Sequence, residues 1–534
     1  MKSIKVLSTL ACVLGLGLAS ITASFAQPST DSAAKPLANV GTGQVRGTLT
    51  YDGLAIFKNI PFAEPPVGNL RWHEPLPAKA WTGVRDATAF GPACVQTGHL
   101  NATSSEDCLQ LNIWTPAWPM KTPVPVMVWF HGGGNTAGSA IEPLFNGENF
   151  ARLGVILVSA NYRLGIFGFF AHPELTKESL HHASGNYGLL DQLQALRWVH
   201  DNIASFGGDP ANVTIFGESA GSGDVNSLIA SPLSKGLFAR VIAESGPIGT
   251  SPSDPLPPLA EAEKRGEAIA ARVNIAGNGS LAKLRALSSA ELLEKLGQGG
   301  PTAGPSGPAL GIDVDGWVLP DSPVNIFAAG HELPVALLLG SNSQEMQKPF
   351  TPMPGGLRDL IAQQYGPLAG RALALYGLDG ATDPPPDPEY GAVLTQWTTD
   401  LQFRCGTVQE LTWHTAAGNT AYEYQFSRTM HGKEADGAPH ASELPFVFGT
   451  LPVWQGMRHY DLSDRQYAPA IQAYWVNFAK TGDPNGPGLV NWPKFDPAGR
   501  AYIEFIDAGP VAKEKLRGPF CDMFMENQKR LKTQ

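Results

Sequence analysis

Val213-Thr214-Ile215-Phe216-Gly217-Glu218-Ser219-Ala220-Gly221 is the stretch that decides the fold. Four β-branched or aromatic residues run directly into G-x-S-x-G, and a plausible helix begins near Ala220. That order is expected where a buried strand turns sharply into a helix and leaves a serine exposed at the corner. Glycines on both sides of the serine leave room for the neighbouring strand and helix. The same pentapeptide also occurs at ordinary strand-to-helix turns, so its setting carries the reading.

Outward from this stretch, short apolar runs recur at Val124 to Phe130, Val155 to Ala160, Val241 to Glu244 and Val335 to Leu339. These short β-rich runs and their flanks suggest parallel strands buried on both faces. Helical spacing appears between them, at Leu189 to Ala204, Leu259 to Val273 and Leu281 to Leu296. Alternating strand and helix predict a doubly wound, mostly parallel sheet with crossovers on both faces. Gly43 to Thr50 alternates and reads as an antiparallel edge strand. A late strand at Thr420 to Phe426 and a helix near Tyr467 to Lys480 complete the periodic elements. Pro and Gly cluster at Gly299 to Gly311 and Asp383 to Pro388, where exposed loops are expected.

A second chemical signal is His131-Gly132-Gly133-Gly134, at the end of the run Val124 to Phe130. Acyl transfer builds negative charge on a carbonyl oxygen, and glycine lets backbone N–H donors approach it closely. A Gly triplet can also be a plain flexible turn; its place upstream of G-x-S-x-G favours the donor reading. A serine at its free pKa is a weak nucleophile and needs a base with a carboxylate behind it. Glu345, in a loop after Val335 to Leu339, qualifies as that carboxylate. His414, His431, His440 and His459 all lie beyond it, and spacing does not choose among them.

The chain has 534 residues, 43% hydrophobic and 16% charged, with a formal charge of −10. An acidic chain without Lys/Arg clusters is a poor nucleic-acid partner. Lys2 and Lys5, the apolar stretch Val6 to Leu18 and the small residues ending at Ala26 predict a signal peptide over 1–26. The mature protein is then expected to be secreted or periplasmic, without stable membrane insertion. Residues 27–36 read as a flexible segment and 37–530 as a single domain. Losing the signal removes Cys12 and leaves Cys94, Cys108, Cys405 and Cys521, which permit three pairings. Proximity favours Cys94 with Cys108, leaving Cys405 with Cys521.

Phe206-Gly207-Gly208-Asp209-Pro210 through Gly221, and Glu106-Asp107-Cys108-Leu109-Gln110-Leu111-Asn112, resemble the two signatures of the type-B carboxylesterase family. The likeness continues through Asn59 to Arg71, Asn161 to Phe169, Asn186 to Gln192 and Glu443 to Gly449, over nearly all of the mature chain. The resemblance implies an α/β-hydrolase fold with N-terminal antiparallel edge strands and helical insertions. It also implies a Ser219, Glu345 and His440 triad, which selects His440 from the four histidines. The family's oxyanion donors correspond to the backbone N–H groups of Gly133, Gly134 and Ala220. Its first short disulfide loop matches Cys94 to Cys108, and two structural ion pairs map to Arg71 with Glu106 and Arg163 with Asp191. The implied activity is hydrolysis of a small-molecule carboxylic ester through an acyl-enzyme, with no cofactor or metal.

Departures from the family bear on substrate. Asn135 follows the Gly triplet where the family usually has an aromatic residue, which would make that wall polar and suit a carboxylate-bearing acyl group. The segment between Cys94 and Cys108 has no Trp for a cation to face, which argues against choline esters. Glu218, beside the serine, is a second candidate substrate contact, or else part of a buried polar network. Two rival functions remain: a non-catalytic binding protein of this fold, and a lipase or amidase. Binding relatives typically lose the Ser or the His, and a lipase should show a large apolar patch.

Overall fold

The computed structural model describes residues 35–96, 103–248, 256–296, 310–346, 355–429, 436–451 and 460–532. The expected signal peptide, most of the expected flexible segment, His431, His459 and most of the glycine-rich 299–311 stretch lie outside the described residues.

In chain order the strands are Leu37–Val40 (β1), Gly43–Arg46 (β2), Thr48–Leu49 (β3), Ala55–Pro61 (β4) and Val84–Asp86 (β5). Ala93–Cys94 (β6), Ser104–Ser105 (β7), Gln110–Thr115 (β8), Val124–Phe130 (β9), Ile156–Ala160 (β10) and Gly208–Glu218 (β11) follow. The last are Arg240–Glu244 (β12), Ala336–Asn342 (β13), Ala421–Phe426 (β14), Ala501–Ile506 (β15) and Gly509–Glu514 (β16). The main sheet among the described residues has eleven strands in the order β16-β15-β14-β13-β12-β11-β9-β10-β8-β4-β3. Pairing from β10 through β15 is parallel, while β3, β4 and β8 on one side and β16 on the other are antiparallel.

Period-two alternation explains why the central strands read as unbroken apolar runs. Val126, Val128 and Phe130 of β9 pack into one core, and Met127 and Trp129 into the other, on the opposite face. Ile156 and Val158 face the first core while Leu157 faces the second; Leu337, Leu339 and Leu338 divide the same way. Helices Tyr187–Asn202 and Ala220–Ala230 bury apolar side chains in the first core, and Leu462–Thr481 does so in the second.

The expected strand Gly43 to Thr50 is two strands. β2 belongs to a separate three-stranded sheet with β1 and β5, and β3 joins the main sheet. The break falls at Gly47, where any Cβ would collide with the backbone oxygen of Ile56. Leu281 to Leu296 is likewise two helices, Ser280–Ala286 and Ser289–Leu296. Ser288 and Glu291 exchange backbone-to-side-chain hydrogen bonds at the second start, at 2.8 and 3.2 Å, as a capping box does. Both disulfides, Cys94–Cys108 and Cys405–Cys521, are present. Both ion pairs are bidentate: Arg71 with Glu106 at 2.6 and 2.7 Å, and Arg163 with Asp191 at 2.7 Å twice. Among the described residues no helix is long and apolar enough to cross a membrane.

Candidate active site

Ser219 stands between β11 and the helix Ala220–Ala230 with φ 57° and ψ −122°. A non-glycine residue there carries a strain of about 1–3 kcal/mol and persists only when its surroundings over-determine it. Those surroundings are a hydrogen bond from its N–H to the carbonyl of Glu244 on β12 (2.8 Å) and one from the Gly223 N–H to its carbonyl (3.0 Å). The serine is half-buried.

The glycine loop after β9 lies directly against this corner. A Cβ on Gly132 would sit 2.6 Å from the Glu218 carbonyl oxygen and 3.0 Å from Ser219 Cβ. Gly133 and Gly134 take φ +103° and +64°, which the absence of a Cβ makes accessible. Neither N–H donates a hydrogen bond within the described residues. Ala220 opens the helix, where backbone N–H groups have no intrahelical acceptor. The loop rests on His131, whose ring stacks on Tyr162 with centroids 4.6 Å apart. Burial pushes His131 down to about 4, so it is neutral under ordinary conditions.

Glu345 and His440 lie against each other. The imidazole Nδ1 lies 2.7 Å from Glu345 Oε2, the Asn342 N–H donates to Glu345 Oε1 at 2.6 Å, and the His440 N–H donates to the Glu345 carbonyl at 3.0 Å. Glu345 is buried. His414 is elsewhere, buried on helix Cys405–Ala416 between Glu332 (3.1 Å) and the Val335 carbonyl (2.9 Å).

The other nitrogen of His440, Nε2, is 3.1 Å from Glu218 Oε1, so Glu218 turns toward the imidazole. Burial raises Glu218 against the pull of His440. Burial works against the imidazolium, but Glu218, Glu345 and Glu443 outweigh it and raise His440. Asn135 also turns toward the protein: its Nδ2 donates to Asp224 Oδ1 at 2.8 Å, and its Oδ1 accepts from the Tyr162 hydroxyl at 3.0 Å.

Sequence reasoning passed over Glu244, Glu443 and Arg404. Glu244 ends β12 in register with Glu218; its position at the carboxyl end of a parallel strand was the available signal. Glu443 accepts from Asn342 Nδ2 at 2.6 Å, and Arg404 donates to the Ser343 carbonyl at 2.7 Å, bracing the loop that carries Glu345. Among the described residues no group of three or more His, Cys, Asp or Glu is placed to hold a metal ion.

A profile of the carboxylesterase family matches residues 34–359 and 370–524. A para-nitrobenzyl esterase from Bacillus subtilis is 37% identical, over 85% of this chain and 91% of its own length. A fumonisin B1 esterase from Sphingopyxis macrogoltabida is 36% identical, over 83% of this chain and 82% of its own. Among solved structures, a PNB esterase superposes with a TM-score of 0.79 at 32% identity, covering 92% of this chain and 99% of its own. A carboxylesterase from Geobacillus stearothermophilus gives 0.78 at 32%, covering 92% and 100%. The sheet is thus that of the α/β-hydrolase fold, and the chain belongs to the carboxylesterase family as an ester-hydrolysing enzyme.

Proposed function

We propose that this carboxylesterase is an exported serine hydrolase that cleaves small carboxylic esters through an acyl-enzyme on Ser219, within one catalytic domain over residues 37–530. The observation that carries the reading is the strained Ser219 backbone, set against the Gly132–Gly134 loop and accompanied by a His440–Glu345 pair at 2.7 Å. His440 takes the Ser219 proton through Nε2 as the hydroxyl attacks the ester carbonyl. Glu345 orients the ring and stabilises its cation, and the same proton passes to the departing alcohol. The oxyanion forms among the N–H groups of Gly133, Gly134 and Ala220. One such donor is worth about 3 kcal/mol in the transition state. Water then enters, activated by the same imidazole, and releases the acid. Export is supported by the basic, apolar and small-residue order of residues 1–26 and by two disulfides, which persist in oxidising compartments.

Purified protein should hydrolyse short-acyl aryl esters, Ser219→Ala should lower kcat by at least about 10⁴-fold, and an organophosphate should label Ser219 once. Wild type inert toward both ester and organophosphate would instead favour a non-catalytic binding protein.

A further inference from the structure

We propose that Asp224 is a positioning residue for the oxyanion loop, acting through Asn135; this rests on the catalytic reading above. Asp224 lies on Ala220–Ala230, the helix that Ser219 caps. It is fully buried, and its two oxygens accept from amides: Asn135 Nδ2 at 2.8 Å and Gln192 Nε2 at 2.6 Å. No cation pairs with it among the described residues. A carboxylate buried with neutral donors alone is costly, and burial pushes Asp224 up to about 7 despite both hydrogen bonds. Without it the Asn135 and Gln192 amides would lose their shared acceptor, so the group is explained by what it holds.

What it holds is the end of the glycine loop. Asn135 directly follows Gly134 and itself has φ 56°. Its carbonyl accepts from the Gly165 N–H at 2.7 Å, and its Oδ1 shares the single Tyr162 proton with the His131 carbonyl, at 3.0 and 2.6 Å. Ionised Asp224 is an acceptor only, so it fixes which face of the Asn135 amide points inward. Glycines give the loop its reach and also leave it free to waver. The Asn135–Asp224 bond removes that freedom and ties the N–H donors to the same helix that carries the serine. Oxyanion stabilisation depends on donors already in place when charge develops. Loss of the tie should therefore affect the transition state more than substrate binding.

The test uses the full chain with 4-nitrophenyl acetate, comparing wild type, Asn135→Ala, Asp224→Asn and the double variant. Each single change should lower kcat about 10-fold or more with KM within about 2-fold. The double should fall no further than the worse single, because the two act as one unit. Affinity for a trifluoromethyl ketone should fall in parallel with kcat, while organophosphate labelling still reaches one per chain. Single variants within 2-fold of wild type in kcat, multiplying losses in the double, or losses confined to KM would overturn the assignment. Should Asp224→Asn fail to fold, as a thermal melt would show, Asn135→Ala decides by the same criteria, since Asn135 lies in a half-buried loop. Wild type that turns over nothing refutes the catalytic reading itself, which is distinguishable from an active wild type with unaffected variants.

Discussion

Glu218 places a second carboxylate beside the base. Its Oε1 is 3.1 Å from His440 Nε2, on the side of the ring opposite the nitrogen that faces Glu345. Burial works against the imidazolium, but Glu218 and the other carboxylates around it raise His440, so the imidazole holds its proton more firmly than it would without them. The proposed mechanism needs an imidazole free of that proton. Activity should therefore fall as pH drops and the imidazole becomes protonated. Glu218→Gln removes one of the charges that favour the cation, so the acidic limb of kcat/KM should move to lower pH, by about 1 unit. A pH–rate profile measures this, and a limb that stays or moves upward would show that Glu218 does not set the base. The carboxylate keeps its place beside the imidazole because residue 132 is a glycine: a Cβ there would lie 2.8 Å from Glu218 Oε2.

At the scale of elements, the site depends on how closely the loop after β9 approaches the turn after β11. Gly132→Ala puts a methyl group against the Glu218 carbonyl, which is backbone and cannot swing aside. The variant should lose at least about 10-fold in kcat through displaced donors, a larger effect than on KM; equal kcat would show that the loop tolerates a shift. The elements forming this junction were legible in the sequence because the later part of β9 and the 213–216 part of β11 are buried on both faces and rich in β-branched and aromatic residues. The proposed base, His440, was singled out only through resemblance, because the His440–Glu345 contact joins segments far apart in the chain and leaves no local pattern. Gly43 to Thr50 misled because alternation survives across Gly47 while the pairing partner changes. The split at Ser288 was readable, as Ser288-Ser289-Ala290-Glu291 is a helix-start signature. The hairpin of β15 and β16 escaped notice because β16, Gly-Pro-Val-Ala-Lys-Glu, is partly exposed and lacks an apolar run. Nothing local marks Asp224, whose partners come from the loop after β9 and from helix Tyr187–Asn202.

Across the whole molecule, the two disulfides restrain very different lengths of chain. Cys94–Cys108 spans 14 residues and Cys405–Cys521 spans 116; the latter fastens the helix Gly518–Leu531 to Cys405–Ala416. If restriction of the unfolded chain dominates, opening the longer loop by Cys405→Ala with Cys521→Ala should cost about 2 kcal/mol more than opening the shorter one. Urea unfolding of the two double variants measures the difference, and equal losses would mean that local packing outweighs loop entropy. The order of the main sheet has one further consequence. The serine comes at the end of β11, but the proposed base follows β14 and is fixed by a carboxylate after β13. A polypeptide still on the ribosome with only its first half emerged would carry the reactive hydroxyl without its proton acceptor. Such an unfinished protein should be harmless to esters in the cell that makes it, and hydrolysis begins only once translation is complete and the late strands have docked.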